Sequence, residues 1–211
     1  MKGVADMPGI NRAFFFQRVR SHLFAGSLRS GQVEGLTFIL DVWEASHAAS
    51  DDRWLAYALG TAFHETAATM QPIHEMGGTN YFFRNYDRRG NKPALAARLG
   101  NTHDGDGALF HGRGYAQLTG RSNYMNMGAI FGVNLTDNEA AADRVLGAQL
   151  AAKIIFHGME HGTFTGRRFA NYFAGATQDW FNARKIINDL DCAQKIANQA
   201  QEFYAAISHT V

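Results

Sequence analysis

The feature that most limits the fold is a break in pattern. Helical periodicity runs through the first third of the chain, stops at Pro72 and returns only from residue 122. Between Gln71 and His111 glycines and asparagines dominate, in GGTNYFFRNYD, RRGNKP and GNTHDGDG. An irregular stretch of this length inside a compact domain is usually functional, with helices as scaffold and the chemistry in the loops they hold.

The flanking segments read as helices. Phe15, Val19 and Leu23 recur at i, i+4 and i+8 within 12–24, and Val33, Leu36, Leu40 and Trp43 mark one face of 32–47. A third helix opens at Asp51 or Asp52 and carries Leu55, Leu59, Ala62 and Phe63; Pro72 is expected to end it near Met70. A short helix is predicted over 93–99, and helical periodicity fills 122–131, 138–161 and 177–207. Strand signals are few and short. The expected fold is mainly α, with room for one small β-hairpin in the irregular segment.

The chain has 211 residues, no Pro/Ser-rich linker and no internal repeat, which suits one domain or two lobes of one unit. Its net charge of +1 does not suit a nucleic-acid binder. Residues 1–35 carry Lys2, Arg12, Arg18, Arg20 and Arg29 against Asp6 and Glu34. That is either a solvated helix face or a weak attraction to an anionic polymer or membrane surface. The one cysteine, Cys192, can form no intrachain disulfide and is read as a buried structural residue. With Asp6 and Pro8 early, the N-terminus fits neither a signal peptide nor a transmembrane helix, so a chain made in the cytoplasm is expected.

Several groups could carry chemistry. Glu65 lies late in a helix among small residues, where desolvation would favour a protonated carboxyl; Glu75 follows Pro72 in the loop. Paired carboxylates in different environments are the equipment of glycoside hydrolysis, although two surface glutamates would look the same. Residues 110–124, FHGRGYAQLTGRSNY, hold little that looks like ordinary core. Gln117, Thr119 and Asn123, beside Tyr115 and Tyr124, could meet the hydroxyls and ring faces of a sugar, or form a structural turn. HGMEH at 157–161 matches the H-x-x-E-H pattern of inverted zinc peptidases, with His157, Glu160 and His161 as candidate ligands; a plain helix end is the alternative. DGDG at 104–107 lacks the glycine and glutamate of a calcium loop and reads as a turn.

FHETAATMQPIHE, ARLGNTHDGDGALFHGRGYAQLTGRSNY and, more loosely, ARKIINDLD resemble the family 19 glycoside hydrolases, the chitinase-like enzymes, in the branch found in bacteriophage and prophage endolysins. The likeness spans about residues 55–205, with 1–50 as N-terminal helices and 51–211 as the catalytic core around loop segment 71–121. It implies a lysozyme-like, two-lobed α fold with a cleft. Glu65 would be the general acid and Glu75 the general base, with His74 or Asp87 as rivals for the base. Thr119 would hold the attacking water, while Gln117, Asn123, Tyr124, Asn188, Tyr115 and His64 would contact the sugar. The reaction would invert the anomeric centre without metal or cofactor. Three departures stand out: HETAA replaces the common HETGG, IND replaces ING, and Lys195 is the nearest counterpart of a later arginine. The resemblance implies a monomeric enzyme acting on peptidoglycan glycan strands, with chitin as the second substrate, no nucleic-acid partner and no stable membrane insertion. It would reach the cell wall after the membrane is permeabilised. A zinc peptidase or amidase and a non-catalytic glycan-binding protein are the rival readings.

Overall fold

A computed structural model describes residues 9–210 of the chain. Lys2, Asp6 and Pro8, which entered the charge and leader arguments above, lie outside the described residues. Helix takes up 57% of the described residues and strand 4%, so the fold is mainly α, as the periodicity predicts. In chain order the elements are α1 (Arg12–His22), α2 (Ser30–His47), α3 (Asp52–Glu65), β1 (Ile73–His74), α4 (Thr79–Tyr86), α5 (Pro93–Arg98) and α6 (Asp106–Leu109). There follow β2 (Arg113–Gly114), α7 (Arg121–Phe131), α8 (Glu139–Ala142), α9 (Ala148–His161), β3 (Phe173–Ala174), β4 (Thr177–Gln178) and α10 (Ala193–Tyr204). They fall into two compact units: Pro72–Ala151, and the chain on either side of it.

In the flanking unit, Asn11 caps α1 and Asp51 caps α3 by accepting backbone N–H bonds at 3.0 Å from Phe14 and Arg53. Residues Leu55 to Phe63 of α3 are buried without a gap. The helix is therefore surrounded by protein rather than packed through the single stripe its sequence suggested. α10 runs against it, and Gly60 permits the approach: a Cβ there would lie 2.9 Å from the Ala200 backbone nitrogen.

α3 ends at Glu65, earlier than Pro72 predicted. Thr66 caps it, and Ala67 (φ 49°) and Ala68 (φ 63°) turn left-handed. Ala67 N–H donates to the His64 carbonyl at 3.2 Å and Ala68 N–H to the Phe63 carbonyl at 2.8 Å. This is the helix ending that glycine normally fills. The local turn, not the proline, sets the end. The predicted 177–207 helix shrinks similarly to α10, preceded by a 3-10 turn, Asn182–Ile186.

The unit Pro72–Ala151 is more regular than its composition suggested. It contains α4 and α6, which periodicity did not reveal, as well as α5 where it was expected. β1 pairs antiparallel with β2, Ile73 opposite Gly114, so the pair closes across the whole irregular stretch. The local hairpin lies elsewhere, between β3 and β4. Gly147 divides the 138–161 run into α8, a 3-10 turn at Asp143–Leu146 and α9.

The segment that looked least like core proves to be core. Residues 110–116 are buried throughout. Arg113 is fully buried; its Nε donates to Asp143 at 2.7 Å and its Nη1 to the carbonyls of Leu109 (2.9 Å) and His111 (3.2 Å) and to the Tyr124 hydroxyl (3.0 Å). The arginine between the two glycines is thus a clamp joining β2 to the Asp143 turn and α7.

Candidate active site

Within the unit Pro72–Ala151, Glu75 follows β1 directly. Its backbone N–H donates to the Gly112 carbonyl at 2.7 Å. Its carboxylate receives one donor on each oxygen, the Tyr86 hydroxyl on Oε1 at 2.7 Å and the Gly112 N–H on Oε2 at 3.2 Å. Burial, then the bond to Glu75, pushes the Tyr86 phenol well above its ordinary value, so it remains a neutral donor. A Cβ at Gly112 would lie 2.9 Å from Gln117 Oε1 and 3.1 Å from Glu75 Oε2, so both side-chain ends would have to move aside.

Glu75 lines a pocket of about 500 Å³ with His74, Thr79, Phe82, His111 and Glu139. His111 Nδ1 lies 2.6 Å from the Ala108 carbonyl, which makes that nitrogen the proton-bearing one. Its bare Nε2, 3.0 Å from His74 Nδ1, then accepts from His74. The His111 ring stacks on Phe82, centroids 4.3 Å apart. Burial lowers the His111 pKa from its ordinary value. Sequence left His74 and Asp87 as rivals to Glu75. Asp87 is withdrawn as a base: it is 1% exposed and its Oδ2 caps the DGDG turn by accepting from Gly105 N–H at 2.8 Å. His74 lines the pocket but donates its Nδ1 proton to His111.

The polar residues of the QLTGRSNY segment sit in a tight turn rather than along an extended strand. Arg113 and Leu118 exchange both backbone bonds, at 2.9 and 3.2 Å, closing the loop. Gln117 takes a left-handed φ of 53°, a strained conformation that tends to persist at functional sites. Its Nε2 reaches the carbonyls of Gly114 (3.3 Å) and Ile73 (3.4 Å). Thr119 Oγ1 donates to the Gln117 carbonyl at 2.8 Å, and Asn123 Nδ2 to the Thr119 carbonyl at 2.7 Å. Gln117, Thr119 and Asn123 are each half-buried. The two tyrosines are not at the surface: Tyr115 is 1% exposed and Tyr124 fully buried. The Tyr124 hydroxyl donates to the His111 carbonyl at 2.9 Å, and burial raises its pKa to about 12. Neither ring can stack on a sugar without leaving the core.

In the flanking unit, Glu65 ends α3, and its Oε1 accepts from Arg184 Nη1 at 2.7 Å. Arg184 is 3% exposed, and its Nε donates to the Asp191 carbonyl at 3.0 Å. Sequence anticipated a desolvated carboxyl; the structure gives it a buried guanidinium as partner. Lys195 is exposed, and the guanidinium on Glu65 is that of Arg184, in ARKIIND. His64 is half-buried, and burial lowers its pKa against the opposing pull of Glu65. Asn188 closes the 3-10 turn that carries Arg184, its N–H donating to the Arg184 carbonyl at 3.0 Å, and its side chain is exposed. Cys192 is corrected from buried to exposed; it precedes α10 with φ 55°.

His157 and His161 share a face of α9, their rings stacked 4.2 Å apart, and His47 Nδ1 lies 3.5 Å from Glu160 Oε2. Among the described residues no group of three or more His, Cys, Asp and Glu side chains is placed to hold a metal ion. DGDG is a turn only in its first half: Asp104 and Gly105 turn, while Asp106 and Gly107 open α6, with Asp106 2% exposed and accepting from Arg121 Nε at 2.9 Å. Sequence reasoning missed Tyr86, His111 and Asn101. Asn101 bridges the Tyr86 carbonyl (2.9 Å) and the Arg121 N–H (2.8 Å). Asn101 and His111, like Arg184, lie inside the segments that carry the family resemblance, whereas Tyr86 lies outside them. No helix among the described residues is long and apolar enough to cross a membrane. No protein-family model and no curated protein matches the chain.

Proposed function

We propose that the chain is an inverting glycoside hydrolase that cuts β-1,4 bonds between the amino sugars of bacterial peptidoglycan, in the manner of a phage endolysin. The observation that carries this reading is the Glu75 carboxylate. One fixed donor on each oxygen, at 2.7 and 3.2 Å, leaves one acceptor position per oxygen for a water, beside a pocket large enough for a sugar. Glu65 is the acid of this scheme. It must take up a proton before it can protonate the glycosidic oxygen, and Arg184 then holds the carboxylate left after transfer. Gln117, Thr119 and Asn123 form a half-buried polar turn, and in this reading Thr119 holds the attacking water.

The test is release of reducing ends from purified peptidoglycan by the wild type, Glu65→Gln and Glu75→Gln, with and without a chelator. Wild-type release that survives chelation and is lost in both variants supports the proposal. Release of amino groups that chelator abolishes points to a peptidase instead. Binding without release by the wild type points to a glycan-binding protein.

A further inference from the structure

The reading of Glu75 as a base leaves open what aims it. A carboxylate on a two-carbon stem rotates freely unless something holds each oxygen, and a general base must present a lone pair to water at a set place. Gly112 N–H holds Oε2. The Tyr86 hydroxyl, on a different element, holds Oε1.

Tyr86 is itself fixed. It is the last residue of α4, its ring lies over Phe82 with centroids 6.5 Å apart and planes 18° apart, and Tyr81 meets it edge-on at 6.5 Å. Its carbonyl accepts from Asn101, and the next residue, Asp87, is tied to Gly105 and Arg89. A half-buried phenol so constrained, pointing its one proton at a carboxylate on a pocket wall, is more than surface packing requires.

From this the geometry assigns Tyr86 as the positioning residue of the site, locking the Glu75 carboxylate so that its free lone pairs face the pocket. The assignment rests on the proposed role of Glu75. Tyr86 does not touch substrate; it acts through Glu75, and the α4–Asn101 framework exists in part to hold it.

Wild type, Tyr86→Phe, Glu75→Ala and the double variant Glu75→Ala/Tyr86→Phe are compared for reducing-end release from a soluble N-acetylglucosamine hexamer and from purified peptidoglycan. Formate is titrated in as an external base. Tyr86→Phe keeps the ring and its stacking, so the thermal midpoint stays within about 2 °C. The variant lowers kcat by roughly 10- to 100-fold with KM unchanged. Formate restores turnover to Glu75→Ala, and the double variant needs roughly tenfold more formate, because the donor that would seat the anion is gone. An unchanged kcat in Tyr86→Phe, or equal formate demand in Glu75→Ala and the double variant, overturns the positioning role while leaving the glycosidase reading intact. So does a loss of kcat that comes with a collapse in the thermal midpoint, which marks a structural role. A wild type that releases no reducing ends from either substrate overturns the reading of Glu75, and the role of Tyr86 with it.

Discussion

Glu75 and Gly112 grip each other twice. The Glu75 N–H donates to the Gly112 carbonyl at 2.7 Å, and the Gly112 N–H returns a bond to the Glu75 carboxylate at 3.2 Å. A methyl at Gly112 would press on the ends of the Gln117 and Glu75 side chains together. Gly112→Ala is expected to lower reducing-end release at least tenfold, because the Glu75 carboxylate must move aside, and to cost only about 1 kcal/mol of stability, because flexible side-chain ends can give way. Activity assays with urea unfolding check both; an unchanged activity would mean that the grip does not set the carboxylate.

The alanines after Glu65 carry a second expectation. Ala67 and Ala68 occupy left-handed conformations at φ 49° and 63°. A Cβ there costs roughly 1–2 kcal/mol per residue. Ala67→Gly and Ala68→Gly should therefore each stabilise the protein, less the entropy that glycine adds to the unfolded chain, for a net of about 0.5–1 kcal/mol. A lowered thermal midpoint in both variants would show that this turn is not strained.

Arg184 holds Glu65 through Nη1 and the Asp191 carbonyl through Nε. Arg184→Met keeps the aliphatic stem but removes both bonds, with an expected loss of about 1–3 kcal/mol and a larger loss of kcat than of substrate binding. Arg184→Lys restores the charge without the two-point fork and should recover stability only in part. Full recovery by lysine would reduce the role of Arg184 to that of a point charge.

Stability should fall on mild acidification. Burial lowers the pKa of His47, His64, His111 and His157 in the folded protein. Below about pH 6.5 the unfolded chain takes up protons at these sites while the folded state still resists, so acid favours unfolding. The effect is absent above about pH 7 and grows until the lowered folded values are reached. Asp51 and Asp106, whose pKa values are lowered because arginine and backbone donors outweigh burial, add a further loss only below about pH 4. Thermal midpoints measured from mildly alkaline to acid pH check this; a profile that stays flat through the histidine range would contradict it.

Part of this protein was legible in advance because its signals are local. Phe15 and Val19 on α1, and Leu36, Leu40 and Trp43 on α2, are buried as their spacing predicted, although Val33 is not. Asp51 caps α3 as expected. Glu75 stood out as a loop carboxylate, and the first half of DGDG as a turn, although its second half opens α6. Helix ends were harder. The end of α3 depends on a left-handed turn at two alanines, residues with no preference for that conformation. Arg113 lay in a segment that held little resembling ordinary core, since charged side chains are rarely buried, yet four acceptors in the fold, Asp143 among them, receive its guanidinium.

The sequence by itself determined a mainly helical chain with an irregular insert and two glutamates worth testing, since periodicity, proline and turn residues act over a few positions. Tertiary structure decided the rest: that Glu75 lines the pocket while the Asp87 carboxylate is buried against a turn, that Tyr115 and Tyr124 are core, and that Arg184 meets Glu65. Each depends on burial and on hydrogen-bond partners far away in sequence, 119 positions in the case of Arg184 and Glu65. Spacing along the chain carries no record of such pairings, because they are set by where the folded backbone brings donors and acceptors together.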